Sequence, residues 1–177
     1  MALHAGRFEL EGRITLRTSR DGLAAQAGHD LTIDVTKWSG ELVIGADLAP
    51  ARLDARMELG SLVVEAGTGG IKPLTDRDKR EIIATARKVL SADRYPDATF
   101  TASSFSPSDD GGTIDGTFTL AGQSGPLRLE VRQTGPDRYR ATTTVRQTDF
   151  GIKPYSGFLG ALRVSDPVEL EAEIAIR

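Results

Sequence analysis

Apolar and polar residues alternate along most of this chain. Phe8, Leu10, Ile14 and Leu16 alternate with Glu9, Glu11, Arg13, Thr15 and Arg17. Leu31, Ile33 and Val35 alternate with Thr32, Asp34 and Thr36, and Leu53, Ala55, Met57 and Leu59 with Asp54, Arg56 and Glu58. The pattern returns over 114–120, 127–132 and 168–176. A period of two places one set of side chains on each face of a strand, which is the pattern of half-buried antiparallel sheet. The breaks carry turn chemistry at Asp21-Gly22, Asp110-Gly111-Gly112, Gly125-Pro126 and Gly135-Pro136-Asp137. Short strands spaced in this way predict a sandwich or an up-and-down barrel of roughly eight to ten strands.

One segment changes period. Over 75–90 the apolar residues fall at Ile82, Ile83, Ala86, Val89 and Leu90, which is helical spacing. Thr75 suits the N-cap, Asp76 and Asp78 suit the first turn, and Arg87 and Lys88 suit the last. Tyr95-Pro96 ends the segment. A single helix is therefore inserted between two β blocks.

The polar faces are too hydrophilic to hold a second layer of sheet, so each strand has one buried face. Closing the sheet buries all of these faces and removes its edges. The expected fold is a mostly β, lipocalin-like antiparallel barrel of about eight strands. Inward positions near mid-strand are often small: Ala55, Ala102, Gly116, Ala141, Thr143 and Ala172. Two readings stand. Small residues at one height leave an apolar void, or they taper the barrel and make room for large residues opposite. A strand over 138–149 would span about 40 Å at about 3.4 Å per residue. With the usual tilt that gives a barrel about 30 Å tall and a long, narrow interior.

Composition narrows the function. The 177 residues suit one domain over 1–177. A net charge of -3 argues against a nucleic-acid binder. With no cysteine there is no disulfide, thiolate metal site or thiol nucleophile, and with only His4 and His29 a multi-histidine metal site is nearly excluded. No cofactor is expected. No basic segment leads into an apolar one after Met1, Ala2 and Leu3, and no stretch approaches 18 apolar residues. The expected location is cytoplasmic, or periplasmic if a leader has been removed.

Isolated motifs carry little chemistry. Gly67-Thr68-Gly69-Gly70-Ile71-Lys72 fails the spacing of a phosphate loop, and Asp149-Phe150-Gly151 occurs without the other parts of a kinase. His29-Asp30 is no dyad, because neighbours on a strand point to opposite faces. His29 is either structural or a partner for a ligand head group. Trp38 is equally suited to core packing and to ligand contact. Lys72, Arg77, Lys79 and Arg80 form either a solvated face or a cationic collar for an anionic head group.

Four ordered stretches give the chain a family likeness. They are His29-Asp30-Leu31 leading to Gly40; Arg77-Asp78 followed by Arg94-Tyr95-Pro96-Asp97-Ala98-Thr99-Phe100; Gly116-Thr117-Phe118-Thr119-Leu120-Ala121-Gly122; and Asp149-Phe150-Gly151-Ile152 with a closing strand over 166–176. With these the chain resembles the YceI-like family of bacterial lipid-binding, polyisoprenoid-binding proteins. The resemblance implies a barrel with a helix packed over it and an internal tunnel for an isoprenoid or fatty-acyl chain. The chain departs from the family where Arg80-Glu81, after Lys79, stands in place of the usual His-Leu that follows the Arg-Asp pair, and in lacking a visible leader.

The function expected is non-enzymatic carriage of a long apolar lipid: a polyisoprenoid, an isoprenoid quinone or a fatty-acyl chain. The expected contacts are Phe8, Ile33, Phe100, Phe118, Leu120, Phe150 and Ile152, with His29 or a basic mouth residue near the head group. A homodimer is an assembly the reading allows. The alternatives are an enzyme built on His29 with Asp34 or Tyr139, and a stress-linked interaction module with a filled core.

Overall fold

In the computed structural model, which describes residues 4–177, the alternating runs become staves of one closed sheet. Met1, Ala2 and Leu3, on which the leader reading rests, lie outside the described residues. In chain order the elements are β1 (Gly6–Thr18), β2 (Arg20–Asp21), β3 (Asp30–Val35), β4 (Trp38–Ile44), β5 (Pro50–Glu58), β6 (Leu62–Thr68), α1 (Asp76–Val89), β7 (Asp97–Ser108), β8 (Gly111–Leu120), β9 (Gln123–Gly135), β10 (Arg138–Arg146), β11 (Ser156–Gly157), β12 (Leu162–Val164) and β13 (Pro167–Ile176). The main sheet runs β13-β10-β9-β8-β7-β5-β4-β1-β3-β6, and antiparallel pairing of β13 with β1 closes it.

Among the described residues, ten strands of this sheet make eight staves, because two pairs act as bent single strands. β1 pairs with β4 over Gly6–Leu10 and with β3 over Ile14–Thr18. β5 continues the wall beside β4, and β6 continues it beside β3. Gly12 marks the point where β1 changes neighbour. A Cβ there would collide with the Glu173 carbonyl of β13, so only glycine fits. The Gly12 carbonyl accepts the Trp38 indole N–H at 3.3 Å. Trp38 therefore closes the seam between β3 and β4.

The predicted break at Gly125-Pro126 is not a turn. The β8–β9 turn is Ala121-Gly122, and Pro126 pairs within β9 opposite Thr117. β9 tolerates a proline because its pairing with β10 runs only from Gly135 to Glu130, so no ladder donor is needed at Pro126 on that side. Likewise β10 stops at Arg146, where a 3-10 turn (Gln147–Phe150) begins. The Phe150 ring enters the space left between the parting strands and packs 3.4 Å from where a Gly125 side chain would begin.

α1 starts as expected. Thr75 accepts from the Asp78 N–H, and the Asp78 carboxylate accepts from the Thr75 N–H at 2.8 Å, a complete capping box. β7 begins at Asp97 opposite Glu58, so it never runs beside β6. The helix packs against β6 there, and Lys79 donates to the Glu65 carbonyl at 3.3 Å. A small sheet, β11-β12-β2, forms at the same end of the barrel. The outward face is solvated by exposed ion pairs such as Arg13–Asp34 and Arg128–Asp115, which water screens and which add little to stability.

Candidate functional site

The barrel has two unlike ends. At the end holding Gly6 and Arg177, Phe8, Ile44 and Ile176 form a buried cluster with Leu10, Leu42 and Tyr139. At the other end, under α1, lies a cavity of about 770 Å³. That volume falls within the roughly 300–1,000 Å³ typical of ligand pockets.

The register shows where the cavity stops. On five staves its lining includes the upper inward residues and not the lower ones: Leu16 but not Ile14, Met57 but not Ala55, Ala98 but not Phe100, Phe118 but not Gly116, Leu170 but not Ala172. The six small inward residues therefore lie below the cavity, and none of them lines it. At their level the taper reading holds. The Phe100 ring lies across Gly116, where a Cβ would meet it at 2.5 Å, and so fills the space the small residues leave. The hollow half arises because α1 spans the mouth instead of inserting into it, presenting Ile82, Ala86, Val89 and Leu90 as a ceiling. The long tunnel expected from strand length is thus confined to one half of the barrel.

The cavity reaches the surface between three loops, at Ile71, which is 80% exposed, and at Tyr155. Polar groups also line it. The His29 Nε2–H donates to the Lys72 carbonyl at 2.8 Å. Arg20 donates to the Gly28 carbonyl and lies 3.7 Å from the Asp30 carboxylate. Gln147, buried, donates to the Ser165 carbonyl at 3.1 Å. Asp78 is held below the ordinary carboxylate range by the Thr75 hydroxyl first and then the Thr75 N–H. Among the described residues, no buried side-chain nitrogen or oxygen lacks a hydrogen-bond partner. The interior therefore carries no unpaired polar atom to select a polar ligand deep inside, and an apolar one meets no desolvation penalty there.

The residues expected at the site separate into three groups. Ile33, Phe118, Leu120, His29 and Lys72 line the cavity. Phe150 and Ile152 are buried but do not line it; Phe150 meets Phe118 edge-on at 5.3 Å and holds it from behind. Phe8 and Phe100 belong to the filled half. The helix turns its basic residues away: Arg77 pairs with Glu81 at 2.9 Å, Lys79 is bonded to β6, and Arg80 is exposed. Asp78 and Glu81 line the mouth in their place. Spacing contained this signal, since stepping back four residues along the helix leads from Ile82 to Asp78 and from Thr85 to Glu81. Leu162, Val164 and Tyr155, also in the lining, lie in a segment without periodicity and gave no such signal.

The groups an enzyme would have needed do not meet. Asp34 faces outward to Arg13 and Thr15, and Tyr139 packs at the filled end. Among the described residues, no group of three or more histidine or acidic side chains could hold a metal ion. No helix among them is long and apolar enough to cross a membrane.

A closed antiparallel barrel of eight staves, filled at one end and hollow and apolar at the other, defines a ligand-binding β-barrel of the lipocalin type. The chain belongs to the family of the YceI-like domain, whose model matches residues 8–176. These are lipid- and polyisoprenoid-binding barrels, binding proteins rather than enzymes. The crystal structure of BcnA from Burkholderia cenocepacia is similar over 94% of this chain and 96% of its own, at 14% identity and a TM-score of 0.63. The Campylobacter jejuni YCEI protein is similar over 82% of this chain and 84% of its own, at 17% identity and a TM-score of 0.63. At these identities the two share the fold. None of the curated proteins matches the chain by sequence.

Proposed function

We propose that this protein binds and carries a single long apolar lipid, a polyisoprenoid, an isoprenoid quinone or a fatty-acyl chain. The tail lies between the barrel wall and α1, against Ile33, Phe118 and Leu120. The head group rests at the rim near His29 and Lys72. The observation that supports this reading is a cavity of about 770 Å³ with a mostly apolar wall and, among the described residues, no buried side-chain polar atom left unpaired. A filled-core module would lack such a space. Each CH₂ taken from water contributes about 0.8 kcal/mol, and part of that is lost in ordering a flexible tail. The bulky floor at Phe100 limits how much of the tail is enclosed, so a longer chain leaves its remainder at the mouth.

Native mass spectrometry of the purified protein, followed by solvent extraction, tests the proposal. A stoichiometric long-chain adduct is expected, and the extract names the ligand. A clean apo mass that persists after incubation with isoprenoid and fatty-acyl lipids would overturn it. The same spectra report whether the carrier is a monomer or a homodimer.

A further inference from the structure

Leu23 and Leu159 are exposed at 101% and 109%, and Ile71 at 80%. Isolated apolar side chains on a surface are ordinary. These are not isolated, because their loops meet around the cavity mouth. Gly22 and Ala24, on either side of Leu23, both contact Ala161, with the Ala24 N–H donating to its carbonyl at 2.7 Å. Ala161 lies two residues from Leu159. Gly28 lies against the Leu162 side chain, and Gly70, beside Ile71, lies against the His29 ring. Tyr155, 42% exposed, belongs to the same rim and lines the mouth. Leu159 also holds a left-handed backbone at φ 55°, a costly state for a branched side chain. That strain turns an apolar group outward where a glycine or asparagine would be easier.

We propose that this rim docks on the surface of a lipid bilayer, so that the cavity opens directly onto the acyl region. The inference rests on the lipid-carrier reading above. Two features favour a bilayer over a protein partner. The side chains stand singly on separate loops around an opening, and a fluid phase needs no complementary surface to receive them. The opening they surround is also the route by which a lipid must leave its reservoir. The rim's charges are mixed: Lys72 and Arg163 stand beside Asp21, Asp78 and Glu81, and Arg163 lies 3.7 Å from Asp21. Docking is therefore apolar insertion with Tyr155 at the interface, and it does not depend on anionic lipid.

The test is flotation of the protein with neutral phosphatidylcholine vesicles, with native mass spectra taken on the same preparations. Wild-type protein should float, little affected by high salt or by added phosphatidylglycerol. Combined Leu23→Ser, Ile71→Ser and Leu159→Ser substitution should lower partitioning by more than about tenfold. Leu48→Ser, changing an exposed leucine in the β4–β5 turn at the opposite end, should not. A separate Ile71→Trp variant should show a blue-shifted emission on adding vesicles, which keeps the proposal testable if the triple variant misfolds. Wild-type protein that stays in the aqueous phase, a triple variant that floats like wild type, binding confined to anionic vesicles, or an unshifted Ile71→Trp spectrum would each overturn it. Lipid adducts without flotation would defeat the docking and leave the carrier reading intact. Flotation without any lipid uptake would defeat the carrier reading and leave the docking intact.

Discussion

The two halves of this barrel are built from the same staves and the same alternation, yet one is solid and the other hollow. In the solid half, Phe8, Tyr139 and the Phe100 ring supply aromatic bulk, and small partners such as Gly116 and Ala172 give it room. In the hollow half, the wall is mostly aliphatic: Leu16, Leu31, Ile33, Val35 and Leu170. These reach only part of the way across, and α1 closes the top without filling the centre. Small residues therefore do not locate a cavity. A small residue beside a large one makes a packed layer, whereas medium residues facing one another across a wide barrel leave space.

The strongest test of this contrast is Phe100→Ala. Removing the floor should destabilise the fold by about 3–5 kcal/mol, read by denaturant unfolding. It should also extend the cavity downward, so that added long-chain lipid recovers more stability in the variant than in wild type. If unfolding is nearly unchanged, Phe100 does not fill the barrel.

Leu170→Trp tests the hollow half from the other direction. A large ring there has space to enter, so stability should change by less than about 1.5 kcal/mol. Lipid retention should fall by about tenfold or more, since the tail and the ring compete for one volume. A similar enlargement in the filled half, Ala172→Leu, should instead overpack it and cost about 1–3 kcal/mol. Equal behaviour of the two variants would erase the distinction between the halves.

Thr75→Ala removes the side-chain N-cap of α1 and should cost about 1 kcal/mol. Hydrogen exchange should speed up in α1 while the β1–β13 ladder at the filled end stays protected. Lipid should also dissociate faster, because the ceiling of the cavity is what loosens.

Acid should produce the smallest effect, and at one end first. Asp166 accepts from the Thr148 hydroxyl and from its N–H at 2.8 Å; the hydroxyl bond is the main cause that holds its carboxyl below the ordinary range. A carboxyl lowered on folding contributes stability that is complete above the unfolded value, about pH 3.9 for aspartate, and is lost as pH falls through the lower folded value. Asp78 acts in the same direction at the start of α1. Below about pH 4 the turn carrying Phe150 and the first turn of α1 should therefore loosen before the filled end does. Amide exchange across that range reads this, and Asp166→Asn should abolish the Thr148 part of the response.

Alternation determined most of the strands and their inward faces, because side-chain direction on a strand is a local property with period two. Helical spacing and a capping box determined α1 in the same way. The family likeness, carried by ordered short motifs, was legible for a similar reason. Tertiary structure decided what local pattern cannot carry. It made single bent staves of β3 with β4 and β5 with β6, and it placed Pro126 inside β9 because β10 has already parted from it. It brought residues 156–157 and 162–164 beside β2 to frame the mouth, turned Asp78 and Glu81 toward the opening, and set the Phe100 ring over Gly116. Each of these depends on which side chains meet across the barrel, at separations in sequence that no local period spans, and the position of the cavity depends on all of them.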